Sequence, residues 1–290
     1  MKNGRTVAHA FSGYLFLAPY LALFLTFLVA PLVYGLALSF MRWEMLSPAP
    51  PKFVGLANYA EALQSTYFWQ AFWATFRFVA MAAPLTVGWA LLIALGVNAM
   101  RRRQAVCRAA YFLPTLISIS VAGILWRWFY NGEFGLFNAY LGELGLKAPW
   151  LTEAAWAMKS IVLMTLWWTV GGPMVILLAG LQHIPRQYYE AAAIDGATAP
   201  QRFWHITLPQ LRPILLFVAV MNVIGGFQVF GQTFVITRGG PEFSTRVLVQ
   251  YIYETAFTNY RMGYGAAMSW ILFVAIAVFS VAQFRIMRER

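Results

Sequence analysis

The sequence predicts an all-α integral membrane chain that crosses the bilayer six times with both termini on the same side. Three observations carry that expectation. Hydrophobic residues make up 61% of the 290 residues and charged ones 11%, with a mean hydropathy of +0.63; soluble domains run at about 45–50% apolar and about 25% charged. Six stretches between charged residues are long enough to cross a hydrocarbon core, which takes about 20 apolar residues as helix. The basic residues gather at one set of span ends.

The predicted spans are Thr6–Met41, Phe78–Met100, Ala109–Trp126, Ser160–Pro185, Pro213–Thr237 and Met262–Phe284. The first is too long for a signal-peptide core and no small-residue cleavage site closes it, so it is expected to be retained. Orientation follows from Lys2, Arg5, Arg101, Arg102, Arg103, Arg108, Arg186, Arg202, Arg212, Arg285, Arg288 and Arg290, which far outnumber Glu190, Asp195 and Glu289 on their side. The opposite side balances Arg42, Lys52, Lys147, Lys159, Arg238, Arg246 and Arg261 against seven glutamates, and Arg77 and Arg127 fall at helix ends. Positive-inside logic puts both termini in the cytoplasm. The formal charge of +11 therefore belongs to topology and not to nucleic acid. A lone Cys107 excludes an internal disulfide and a cysteine-built metal site.

Ser47-Pro48-Ala49-Pro50-Pro51 reads as an external linker that divides the chain into residues 1–70, with the first helix, and a core of residues 71–290. Phe53-Val54-Gly55-Leu56-Ala57-Asn58-Tyr59 leads from it into a short amphipathic surface helix. The Arg101–Arg103 cluster anchors the end of the second span and is a candidate contact for anionic lipid. The third span opens on Tyr111-Phe112-Leu113-Pro114, and the segment from Asn131 to Met158 lies outside. Pro173 can kink the fourth span.

Between the fourth and fifth spans lies a cytoplasmic loop, residues 185–213, that holds the only aspartate of the chain, Asp195. Good helix formers run through Tyr188, Glu190, Ala191, Ala192, Ala193 and Ile194. Gly196 then supplies the positive φ that ends a helix. Thr198 caps a second helix, Pro200 suits its first turn, and Pro209 and Pro213 are expected to stop it. A helix with methyl-sized side chains and one projecting carboxylate is a surface another protein can grip. Glu190 and Asp195, five positions apart, point in different directions, which does not suit an acid–base pair; docking for Glu190 and a local turn role for Asp195 fit better.

Within the fourth and fifth spans sit Thr169, Asn222, Gln228 and Gln232, beside Trp167, Trp168, Gly171-Gly172-Pro173 and Gly225-Gly226. Two readings stay open. Such polar groups bond neighbouring helices, at roughly 0.6 kcal/mol each, or they form a sugar site in which amides meet hydroxyls and indole faces cover the ring. No Asp, Glu or Lys lies deep in any span, which counts against proton- or sodium-coupled carriers and favours an uncharged solute. The alternative kept beside these is a secondary carrier or channel, although no internal repeat is visible.

The loop Glu190-Ala191-Ala192, Asp195-Gly196-Ala197, Phe203, Ile206, Leu208-Pro209 and Pro213 resembles that of ABC-importer permeases of the carbohydrate branch, the maltose and glycerol-phosphate type. Phe53–Tyr59, Leu113-Pro114, Gly135 with Asn138, and Thr237-Arg238-Gly239-Gly240-Pro241 support it. The resemblance implies a pore made with a second permease subunit, expected to be a distinct homologue, two ATPase subunits beneath, and an extracytoplasmic solute-binding protein. It implies that Tyr188, Glu190, Ala191, Ala192, Asp195, Gly196, Phe203, Leu208 and Pro209 couple to the ATPase. Solute contacts are implied for Trp168, Thr169, Gly172, Asn222, Gly225, Gly226 and Gln228. No GxxxxGK[ST] loop occurs, so ATP and Mg belong to the partner ATPases and this chain is not itself an enzyme. Where the family often carries an Asp and a Tyr, this chain has Gly231 and Phe234.

Overall fold

A computed structural model describes residues 16–100 and 102–288. The predicted start of the first span at Thr6, together with Lys2, Arg5, Arg101, Glu289 and Arg290, lies outside the described residues. In chain order the helices are α1 (Phe16–Ser39), α2 (Ala57–Gln64), α3 (Thr66–Ala99), α4 (Gln104–Phe112), α5 (Ile119–Phe129), α6 (Leu136–Glu143) and α7 (Ala154–Thr169). They continue as α8 (Gly171–His183), α9 (Arg186–Ile194), α10 (Ala199–Phe227), α11 (Gly231–Ile236), α12 (Leu248–Tyr253) and α13 (Met262–Arg288). A two-residue antiparallel ribbon pairs β1 (Met41–Arg42) with β2 (Lys52–Phe53), Met41 opposite Phe53.

By length and hydropathy α1, α3, α10 and α13 each suffice to cross a membrane. Two bent pairs pass the same test when each is taken together, α4–α5 turning through 96° and α7–α8 through 51°. With each pair taken as one span the count reaches six, the number expected from the sequence. The break within the third span was not anticipated, whereas a kink in the fourth was allowed for at Pro173. After α4 the chain tightens into a 3₁₀ turn over Leu113–Leu116 around Pro114, and Ile117 is extended. Ser118 then caps α5 by accepting from the Val121 amide at 3.4 Å. The bend in the fourth span falls at Val170, just ahead of Pro173.

A second correction concerns Pro209 and Pro213, which do not stop the helix after Thr198: α10 runs through both. A π turn over Phe203–Thr207 precedes Pro209 and widens the backbone where the proline ring would otherwise meet the preceding turn. Pro213 costs one further backbone bond inside the helix. Arg77, read as a helix-end residue, sits well inside α3, a helix of 34 residues and so about 50 Å long.

Contacts divide the described chain into two units, one of residues 16–65 with Ile252–Ile271, the other of Thr66–Tyr251 with the residues from Leu272 onward. In the first unit, Asn58 donates through Nδ2 to the carbonyls of Ser39 and Met41, both at 2.9 Å, at the end of α1 where backbone acceptors run out of helical partners. Arg261 makes a bidentate pair with Glu61 at 2.7 and 2.8 Å. No residue in the apolar window of α1 is buried inside the protein. A helix in lipid satisfies its own backbone and needs no such cover.

The second unit is packed around α3, α8 and α10. Ala90, Ile93, Ala94 and Val97 of α3 and Met174, Leu177, Leu178 and Leu181 of α8 are buried, each set at i, i+3, i+4, i+7, with Leu211 and Val218 of α10 between them. Alanines at the crossing let the backbones approach, and dispersion replaces the hydrophobic drive that hydrocarbon cannot supply. At one end of this unit Asn138 locks an aromatic cap. Its amide accepts from Ala148 N–H at 3.1 Å and from Trp150 Nε1 at 3.0 Å, and donates to the carbonyls of Ala148 and Gly132 at 3.1 and 3.3 Å. Asn138→Ala is expected to cost about 2–3 kcal/mol by orphaning those groups. A melting temperature in detergent that matches wild type would contradict it.

Candidate functional site

Six of the seven residues expected to touch solute converge on one cavity in the second unit, of about 440 Å³. Trp168 and Thr169 come from the end of α7, Gly172 from the start of α8, and Asn222, Gly225 and Gly226 from the last turns of α10. The bend at Val170 is what turns Thr169 and Gly172 toward the same space. Phe78 and Thr86 of α3, Phe217 and Met221 of α10 and Gln232 of α11 complete the wall, and no charged side chain lines it. Small-molecule sites span about 300–1,000 Å³, so a mono- or disaccharide-sized solute fits.

The polar groups are partly committed to the scaffold. Trp168 donates its indole N–H to the Ile117 carbonyl at 2.9 Å, which ties the cavity wall to the break between α4 and α5. The Thr169 hydroxyl donates to Thr165 O and Asn222 Nδ2 to Val218 O, each at 2.8 Å. Asn222 keeps its side-chain oxygen and one N–H for a ligand. Gly172 and Gly225 face open space, with no atom within 4 Å of where a Cβ would stand. Gln228, by contrast, is exposed and does not line the cavity; α10 ends at Phe227, so the helical spacing that would have grouped it with Gly225 is broken there. Gln232 stands in the wall instead. At Gly231 a Cβ would approach Ile119 Cγ1 to 2.9 Å, which accounts for the absence of a larger side chain at that position.

The loop between α9 and α10 forms a projecting knuckle. Gly196 adopts φ +76°, with Ala197 N–H bonded to Ala192 O at 2.8 Å and Gly196 N–H to Ala193 O at 3.1 Å. This paired closure is the Schellman motif. Thr198 caps α10 in a reciprocal box with Gln201. Sequence reading missed Gln201, although a Thr followed three residues later by Gln is its signature. It also missed Tyr189, whose hydroxyl meets that of buried Thr207 at 2.9 Å and pins α9 to α10. No residue of α9 is buried; Glu190 is exposed, as are Tyr188, Ile194 (87%) and, on α10, Trp204 (62%). Exposed apolar groups beside one carboxylate suit protein contact. Phe203 and Leu208 are half-buried beneath the knuckle and Pro209 is exposed.

Residues 87–288 match the model of a family described as binding-protein-dependent transport system inner membrane component. A probable ABC transporter permease of Bacillus subtilis, YesP, is 36% identical over 98% of this chain and 93% of its own length. The sulfoquinovosyl glycerol permease SmoG of Agrobacterium fabrum is 33% identical over 93% and 87%. The trehalose/maltose permease MalF of Thermococcus litoralis is 34% identical over 96% and 94%. Among solved structures, a bacterial ABC transporter that imports the acidic polysaccharide alginate matches with a TM-score of 0.83 at 23% identity, covering 100% of this chain and 99% of that one.

Proposed function

The chain belongs to the family of binding-protein-dependent transport system inner membrane components, and on that premise we propose that it is a permease subunit of an ATP-driven importer for a sugar, oligosaccharide or related polyol. The supporting observation is an uncharged cavity walled by an indole, an amide and open glycine backbone at two helix breaks. Names of relatives supply the solute class: trehalose/maltose in one, sulfoquinovosyl glycerol in another. In this reading the chain is a multi-pass protein of the inner membrane with α9 on the cytoplasmic side. A second permease, a distinct homologue, completes the pathway. Two ATPase subunits hold the knuckle and use ATP with Mg, and an extracytoplasmic solute-binding protein delivers the ligand. A periplasmic protein carrying an alginate pentasaccharide is seen with the structural neighbour, which supports that last partner.

Energy coupling requires groups whose contacts differ between two states of the pore. The knuckle offers them on one side, and the cavity at the breaks offers them on the other. An ion-coupled carrier fits less well, since no carboxylate lines the cavity.

The test is reconstitution. The tagged chain should copurify with an ATPase and a second permease, and liposomes should accumulate solute only with ATP. Uphill pumping by this chain alone sinks the reading. Gly225→Leu provides a sharper check on the cavity. It faces open space and improves helix propensity by roughly 0.8 kcal/mol, so the complex should assemble normally while uptake falls at least about tenfold. Normal uptake would remove the cavity from the pathway.

A further inference from the structure

We propose a second ligand site on the inner side of α9, where Arg186 and Arg202 hold the phosphodiester headgroup of an anionic phospholipid. A cavity of about 660 Å³ lies there, between α9 and the ends of α3 and α8. Its polar lining is Asn98 from α3, Gln182 from α8, Arg186, Tyr189 and Glu190 from α9, and Arg202 from α10. Tyr189 is tied to Thr207. The side chains of Asn98, Gln182, Arg186, Glu190 and Arg202 make no hydrogen bond or ion pair among the described residues. Arg186 and Glu190 are one helical turn apart and still do not pair. Two guanidiniums, two amides and one carboxylate around one space give a net positive site with spare donors, which is the complement of an anionic phosphodiester whose glycerol headgroup hydroxyls can meet the amides.

Depth names the source of the phosphate. The apolar stretches of α3 and α8 end at Ala99 and His183, so the cavity sits where hydrocarbon gives way to headgroups. Arg102 and Arg103 follow Ala99 within four positions. Basic pockets between spans at a cytoplasmic surface recruit anionic lipid. The ATPase contact proposed above uses the exposed outward face of the knuckle, with Tyr188 and Ile194, and shares only Glu190 with this recess, so the two arginines are left to the membrane. The site thus rests on the reading that α9 faces the cytoplasm.

The experiment takes the chain with its partner subunits into nanodiscs of phosphatidylcholine holding 30% phosphatidylglycerol and follows retained lipid by native mass spectrometry. Wild type should retain phosphatidylglycerol over phosphatidylcholine. Arg186→Gln with Arg202→Gln should retain about 25-fold less, roughly fivefold for each guanidinium. Lysine at both positions should restore most of the retention, which a merely misfolded variant would not. Retention unchanged in the glutamine variant overturns the site, and so does displacement of the lipid by millimolar inorganic phosphate, which would make it a soluble-anion site. Loss of the ATPase from the glutamine variant with lipid retention intact also overturns it, because the arginines would then serve the protein partner. Arginine-dependent lipid retention in a chain that never brings down an ATPase would leave the site standing and the importer reading fallen.

Discussion

Gly171→Val yields little or no folded protein, whereas Gly172→Ala, one residue on, folds in wild-type yield. At Gly171 a Cβ would stand 2.5 Å from the Tyr111 carbonyl oxygen and 2.7 Å from Phe112 Cα, with Thr115 Oγ1 at 3.1 Å. Two of these three neighbours are backbone and have no rotamer through which to withdraw. They belong to the last turn of α4, just ahead of the 3₁₀ break, and Gly171 opens α8, so the two bent helix pairs are nested at this contact. Overpacking against mobile side chains costs about 1–3 kcal/mol; against fixed backbone the figure lies at or above the top of that range, a large part of a stability of about 5–15 kcal/mol. Gly172 has nothing within 4 Å. Fluorescence-detected size exclusion of tagged variants reads the difference directly. A monodisperse Gly171→Val peak at wild-type height would mean that the breaks are not interlocked.

The same contact shows what was legible in the sequence and what was not. Hydropathy counts composition over a window, so it flagged the four long apolar helices and both bent pairs alike. It is blind to where a helix gives way, because that is decided by one or two residues: Pro114 with Ser118 in one crossing, and the stretch before Pro173 in another. The knuckle was readable because its geometry is local, a glycine at positive φ and a Thr cap within a dozen residues. Tyr189 was not, because its partner Thr207 lies 18 positions away on another helix. Pro209 misled for a related reason, since a π turn absorbs it and leaves no mark in composition. The cavity was half legible. Glycines and lone amides in apolar spans flagged its wall, but Phe217, Met221 and Thr86 look like ordinary lipid- or core-facing residues until α3 and α10 are packed together. The exchange of Gln228 for Gln232 turns on the end of α10 at Phe227, a boundary that periodicity cannot see.

Gly196→Val should abolish ATP-driven uptake while leaving the fold and the solute cavity intact. Space is not the obstacle, as no atom lies within 4 Å of a Cβ at this position. The obstacle is φ at +76°, which costs an ordinary side chain about 1–2 kcal/mol and a β-branched one more. A valine therefore shifts the turn toward other conformations and gives up the bonds from Ala197 to Ala192 and from Gly196 to Ala193 that close α9. At about 1.4 kcal/mol per factor of ten, the population in which Glu190 and Ile194 stand correctly for a partner falls roughly tenfold or more. An ATPase that meets the knuckle in that population loses the same factor in apparent affinity, and transport follows. Asparagine tolerates the left-handed region, so Gly196→Asn should recover most of the uptake, which separates backbone geometry from loss of a small surface. Because the knuckle and the cavity lie at different places on α10, solute binding measured on the assembled complex should stay at wild-type strength in both variants. Uptake undiminished in Gly196→Val would mean that the force from ATP enters the bundle somewhere other than this turn, and the exposed face of α9 would then need another occupant.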